Sequence, residues 1–204
     1  MTGTFLERVY DPDNPVRAND LYDAWASTYD EELRHNGYAA PARVAEALAK
    51  FARDPGETVL DFGCGTGLSG LALRDAGFDR LDGMDLSGEM LERAREKNIY
   101  RDLLLIGPED RSPIPKDKYD MIAAIGVIGI GAAPPDLIDT LMRALPKGGL
   151  LGLTLNDHSL AAKIYEGAMC QWLDPGAARL LAKDHGQHLP GQNISSNVYI
   201  IEKK

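Results

Sequence analysis

The sequence predicts an α/β domain built on a doubly wound, mostly parallel sheet. Three observations carry that expectation. Short apolar strands alternate with amphipathic helices from residue 58 to residue 156. One of those strands, YDMIAAIG (119–126), is nearly all apolar, as a strand covered on both faces should be. A glycine-rich turn, FGCGTGLSG (62–70), follows the first strand and opens a helix, at the place where open α/β sheets build their ligand crevice.

The elements follow in order. Residues 1–18 read as irregular, with Pro12 and Pro15 against an early helix. Asn19 or Asp20 caps a helix, LYDAWASTYDEELRH, that Gly37 stops, with Tyr22, Trp25, Tyr29 and Leu33 on one face. Pro41 starts a second helix, RVAEALAKFA, with Val44, Leu48 and Phe51 inward. TVLDFG (58–63) is the first strand, and the helix after it ends at Gly77. RLDGMDLS (80–87) is the second strand, after which Ser87 caps GEMLERAREK. DLLLIG (102–107), YDMIAAIG and LLGLTLN (150–156) are further strands, with the helix DLIDTLMRAL, opened by Pro134 and Pro135, between the last two. In the tail, SLAAKIYEGAMCQWL and PGAARLLAK read as helical. NVYIIEK reads as a strand, antiparallel at the sheet edge, with residues 187–189 as its candidate partner.

Composition bounds the function. The 204 residues suit one domain with a small appendage, and 26% charged residues mark a globular chain. A net charge of -9 without any Lys/Arg-rich run argues against a nucleic-acid partner. No apolar run approaches membrane-spanning length. Two distant cysteines, Cys64 and Cys170, form no metal or disulfide pattern, which points to a reducing, cytoplasmic setting. Cys64 reads as a small loop residue and Cys170 as core.

The glycine turn has two registers. Gly65, Gly67 and Gly70 spell the dinucleotide fingerprint G-x-G-x-x-G; Asp61, Gly63, Gly65 and Gly67 spell D-x-G-x-G-x-G. The first register would put Asp61 and Gly63 inside a buried strand, which costs free energy. The second ends the strand at Asp61, facing the cleft as the floor of the loop. A carboxylate there suits a cation such as S-adenosylmethionine (SAM), whereas a pyrophosphate wants N–H groups without a carboxylate. Gly70 then reads as a small residue that lets the helix pack closely. Asp85, at the end of the second strand, fits ribose hydroxyls in either register, or a plain turn.

VLDFGCGTG, GMDLS, the KYDMI strand and LPKGGLL, in this order, resemble the class I SAM-dependent methyltransferases over residues 20–156. LYDAWASTYDEEL with GMDLSGEML is similar to the small methyltransferase-like proteins of the Williams–Beuren syndrome region. The resemblance implies a Rossmann-like, mostly parallel seven-stranded sheet with an antiparallel edge strand at the C-terminus. It also implies a helical lid at residues 1–40 on a SAM-binding domain at 41–204. The cofactor residues it implies are Asp61, Gly63, Cys64, Gly65, Thr66 and Gly67 at the amino-acid part of SAM. Asp85 falls at the ribose, and Leu86, Met90, Asp110 (with Glu109 as rival) and Arg111 at the adenine. Ile125 and Gly126 pass under the sulfonium. Tyr22, Trp25 and Tyr29 form either a lid or a face buried on the sheet. The implied chemistry is in-line attack by a small-molecule acceptor on the SAM methyl. The alternatives are an NAD(P)-dependent oxidoreductase, or a SAM-binding protein without transferase activity.

The remaining signals are weaker. Tyr29 and His158 are candidate bases, as are Asp157 and Tyr38; His185 and His188 read as a solvated turn. The four histidines have no metal-ligand spacing, so no metal is expected. GIGAAPPD (129–136) offers prolines where a phosphate would need N–H groups, and lacks the aromatic residue of DNA amino-methyltransferases.

Overall fold

The computed structural model describes residues 24–54, 56–107, 110 and 113–204. Tyr22, Glu109, Arg111 and the expected cap at residue 19 or 20 lie outside these residues. One seven-stranded sheet has the order β3-β2-β1-β4-β5-β7-β6. Its strands are β1 (Thr58–Phe62), β2 (Arg80–Asp85), β3 (Asp102–Leu105), β4 (Met121–Ala124), β5 (Leu150–Asn156), β6 (Ala178–Leu189) and β7 (Ile194–Lys203). Neighbours among β1 to β5 are parallel, β7 runs antiparallel to β5, and β6 antiparallel to β7. The doubly wound, mostly parallel sheet is therefore as the sequence predicts.

The helices are α1 (Tyr29–His35), α2 (Ala40–Ala49), α3 (Leu68–Asp75), α4 (Gly88–Glu96), α5 (Leu137–Ala144), α6 (Asp157–Ala161) and α7 (Ile164–Leu173). Strand side chains alternate between faces. Val59, Leu81, Met121 and Ile200 therefore meet Val44 and Leu48 of α2 and Leu73 of α3 on one face. Leu60, Ile122, Leu153 and Tyr199 meet Ile138 and Met142 of α5 and Met169 of α7 on the other. By the same alternation Asp61 lies on the α2–α3 face.

Helix ends follow the sequence signals. Gly37 (φ 71) closes α1: its N–H donates to the Arg34 carbonyl and that of Tyr38 to the Leu33 carbonyl. Gly77 (φ 100) closes α3 in the same way through Arg74 and Leu73. The Ser87 hydroxyl accepts the Met90 N–H at 3.1 Å at the start of α4. Ser87→Ala is expected to cost about 1 kcal/mol, seen as a lower urea midpoint with unchanged slope; an unmoved midpoint contradicts the cap.

Four expectations are corrected. The expected helix is broken among the described residues: Ala24 and Trp25 are helical, a turn follows at 26–28, and Tyr29–His35 forms α1. PGAARLLAK is not helical: from Ala178 it is strand β6, laddered to β7 from Ala178↔Lys203 to Leu189↔Ile194. The helix preference of Ala and Leu is worth only tenths of a kcal/mol per residue; a waiting partner strand outweighs it. Consequently β7 is interior and β6 is the sheet edge, interrupted by two register shifts and carrying Arg179, Lys183 and Asp184. Charges and irregularities of this kind protect an edge from further pairing. Finally, Cys170 is exposed on α7, whereas Cys64 is buried.

Candidate functional site

The crevice lies where β1 and β4 diverge to opposite halves of the sheet, beyond their carboxyl ends. Gly63, Gly65 and Gly67 all adopt left-handed φ (70, 52 and 94), which only glycine adopts at little cost. The Gly63 and Cys64 N–H groups donate to the Met84 carbonyl at 2.7 and 3.0 Å, folding the loop over the end of β2. A Cβ at Gly63 would lie 2.4 Å from Val127 Cγ2, so the loop after β4 is packed against it. A Cβ at Gly65 would meet nothing within 4 Å. The chain thus bares its backbone to open space at Gly65. Gly70 does not face that space: it lies within α3, and a Cβ there would lie 2.2 Å from Tyr100 Oη. The three left-handed glycines are those of the D-x-G-x-G-x-G register. Gly70 does permit close packing, as expected, but against the Tyr100 side chain and Ile99 rather than the sheet.

Asp61 corrects the expectation in detail. β1 continues to Phe62, so Asp61 lies inside the strand, opposite Gly83 and Ala123. It is 0% exposed and does not face an open cleft. Its Oδ2 accepts the Ser69 Oγ and Tyr100 Oη hydrogen bonds, both at 2.6 Å. Its Oδ1 is buried without a hydrogen-bond partner. Burial pushes its pKa up to about 6, the two hydroxyls oppose that, and the Asp85 charge adds to it. A buried carboxylate that no described Lys or Arg pairs is short of positive charge. The cost of placing an Asp here is real, and the hydroxyl donors offset only part of it.

Asp85 stands at the end of β2, where its Oδ2 accepts the Gly65 N–H at 2.7 Å and its Oδ1 the Ser87 N–H at 2.9 Å. It therefore shapes the loop and makes the Asx-type turn of the plain reading. Leu86 is 41% exposed beside it, and Met90 is buried. Asp110 is exposed and accepts the Gly107 N–H at 2.7 Å.

Beyond β4 and β5 a second hollow is lined by Trp25, Tyr29, Tyr38, Gly126, Asn156 and His188, among others. Gly126 (φ 72) donates to Thr154 Oγ1 at 2.9 Å, which ties the loop after β4 to β5. Ile125 is buried beneath it. Trp25 and Tyr29 contact edge to face at 4.6 Å. Trp25 and Leu33 pack on Leu189 and Ile194 of the β6–β7 hairpin, not on the parallel strands. The segment is also tied to the glycine loop: Thr66 Oγ1 donates to Asp30, and Lys97 Nζ bridges Asp30 Oδ2 at 2.8 Å and the Thr66 carbonyl at 2.7 Å. Trp25 and Tyr29 therefore both pack with the β6–β7 hairpin and wall the hollow.

Of the four candidate bases, Tyr29 and Tyr38 line this hollow, Asp157 accepts the Ser195 N–H at 2.9 Å, and His158 is exposed on α6. The histidine that does line it is His188, which is 3% exposed in β6 rather than in a solvated turn. Burial, with the Arg43 charge, pushes its pKa down to about 4, and its Nδ1 is buried without a partner. His185, also in β6, bonds to Asn197 at 2.9 Å. Sequence reading missed His188 because it took the histidines of DHGQH as a solvated turn, even with residues 187–189 as a candidate strand partner. It missed Ser69 and Tyr100 because no local pattern marks a residue that reaches Asp61 across the fold.

A family model for a methyltransferase domain matches residues 29–196. The chain belongs to that family. Methyltransferase-like protein 27 of Homo sapiens is 35% identical over 143 residues, which is 68% of this chain and 58% of that protein. Ribosomal protein L11 methyltransferase of Serratia proteamaculans is 32% identical over 131 residues, 61% of this chain and 42% of that protein. This methyltransferase-domain chain thus spans about half the length of the curated relatives it matches. A SAM-dependent methyltransferase structure from Thermotoga maritima superposes with a TM-score of 0.63 at 15% identity, covering 92% of this chain and 99% of that one. The [4+2]-cyclase SpnF superposes with a TM-score of 0.60 at 15% identity, covering 79% and 81%. The fold therefore hosts more than one kind of reaction. Among the described residues, no helix is long and apolar enough to cross a membrane.

Proposed function

We propose that the protein is a SAM-dependent methyltransferase acting on a small molecule. The observation that carries the cofactor reading is the buried, unpartnered Asp61 Oδ1 beneath left-handed glycines, one of which borders open space. That arrangement fits a cationic amino acid group and disfavours a pyrophosphate. Gly63, Cys64, Gly65, Thr66 and Gly67 would hold the amino-acid part, with Asp61 below. Asp85 would take the ribose, and Leu86, Met90 and Asp110 the adenine. Bound SAM supplies a methyl group on a sulfonium, already activated for transfer. The chain's own work is then to orient and to exclude water. Ile125 and Gly126 would pass under the sulfonium, and Trp25 and Tyr29, which line the hollow with Gly126, would act as part of a lid at residues 1–40.

The hollow supports a small acceptor. No carboxylate, Lys or Arg is among its described lining residues, and His188 stays neutral near pH 7 because its pKa is held near 4. A neutral His188 can accept a hydrogen bond from an acceptor hydroxyl or amine. The second reading is a protein acceptor, favoured by the similarity to ribosomal protein L11 methyltransferase. Incubation with methyl-labelled SAM and a metabolite extract, alongside a protein extract, separates the two. Label in the low-mass fraction is expected; label confined to protein contradicts the small-molecule reading.

A further inference from the structure

Tyr100 is the least expected member of the site. It belongs to the connection between α4 and β3, far from the glycine motif in sequence. Its ring nevertheless enters a slot that a Cβ at Gly70 would close and that Cβ atoms at Gly83 and Gly67 would crowd. A Cβ at Gly70 would lie 2.2 Å from Tyr100 Oη and 2.4 Å from its Cζ. One at Gly83 would lie 3.3 Å from its Cδ1, and one at Gly67 3.3 Å from its Cε2. Through that slot the phenol reaches a carboxylate that is 0% exposed. Both available hydroxyls, those of Ser69 and Tyr100, converge on Oδ2.

We infer that Tyr100 is a positioning residue for the cofactor: its hydroxyl, with that of Ser69, fixes Asp61 by one oxygen and reserves the other for the cationic amino group of SAM. The inference rests on the cofactor reading above. The two hydroxyls donate to a carboxylate and so favour its ionised form, whereas burial and Asp85 favour the protonated one. The titratable groups near Asp61 are Asp85 on β2, Cys64 on the loop and Tyr100 itself. Lys97, above Gly67, is engaged by Asp30 and the Thr66 carbonyl. Tyr100 is therefore the donor that offsets burial from the α4–β3 side. Its own pKa is driven far up by burial and by the Asp61 charge, so it remains a donor at any working pH.

The sign of the pH dependence follows. A cation binds ionised Asp61, so affinity is full well above pH 6 and falls about tenfold per pH step below it. Removing the Tyr100 hydroxyl takes away a stabiliser of the ionised form and moves that break upward, toward about pH 7 for a hydrogen bond of ordinary net strength.

The test is calorimetric titration of S-adenosylhomocysteine, which keeps the amino group, into the wild-type protein and Tyr100→Phe between pH 5 and pH 8. The expected result is affinities that converge near pH 8 and differ by roughly fivefold at pH 6. Phe keeps the ring that fills the slot. Ser69→Ala, on the same oxygen, is expected to move the break the same way. An equal loss at every pH, or no loss, overturns the role of Tyr100 while leaving the cofactor reading intact. Absence of binding by the wild-type protein at every pH overturns both.

Discussion

Asp61→Asn is expected to weaken S-adenosylhomocysteine binding roughly 10- to 100-fold while making the unliganded protein more stable. The two effects have one origin. Asp61 is buried, lacks a cationic partner among the described residues, and has a pKa raised from 3.8 to about 6. A carboxylate whose folded pKa lies above its unfolded value favours folding only while protonated. Stability therefore falls as pH rises from about 4 to 6, and the full cost, roughly 3 kcal/mol, persists above that. Asn keeps an oxygen for Ser69 and Tyr100 and removes the charge. Thermal melts of the unliganded variant should rise at pH 7.5 and lose their fall between pH 4 and pH 6. Binding should suffer because an amide N–H then meets a cationic amino group. A variant that melts lower and binds equally well contradicts both halves.

Gly70→Ala should give the second-largest effect, in the opposite direction for stability. Helical backbone tolerates Ala better than Gly by about 1 kcal/mol, so an exposed site would gain. Here the new Cβ would sit 2.2 Å from Tyr100 Oη and 2.8 Å from Ile99 Cδ1. Forcing either aside costs about 1–3 kcal/mol, so a net loss is expected. The loss should shrink when Tyr100→Leu shortens the clashing side chain. A double-mutant cycle by urea denaturation reads that coupling directly. Additive effects would mean that Gly70 and Tyr100 do not share the slot. S-adenosylhomocysteine affinity should fall with Gly70→Ala, because a displaced phenol no longer holds Asp61.

These two residues also mark what sequence could and could not convey. β4 was legible because a strand covered on both faces must be apolar, β1, β2 and β5 because strand and helix patterns alternate, and Leu150–Asn156 matches its expected bounds. Gly37, Gly77 and Ser87 were legible because helix ends need a left-handed residue or a side-chain acceptor. The register of the glycine turn was argued from charge, and the left-handed φ of Gly63, Gly65 and Gly67 fits that spelling. Asp61's burial was not legible, because it depends on α3 and Tyr100 closing over it. β6 was misread because Ala and Leu favour helices locally and only β7, further along the chain, makes them a strand. His188 entered the hollow with it. In each miss the deciding partner was distant in sequence, where neither periodicity nor capping reports.

The central claim is that the loop from Gly63 to Gly67, with Asp61 beneath it, receives a cationic amino acid cofactor rather than a dinucleotide. The most direct measurement is calorimetric titration of the wild-type protein at pH 7.5 with S-adenosylhomocysteine and, separately, NADH. Saturable, one-to-one binding of S-adenosylhomocysteine with no heat from NADH is the expected result. Saturable binding of NADH with none of S-adenosylhomocysteine would contradict it.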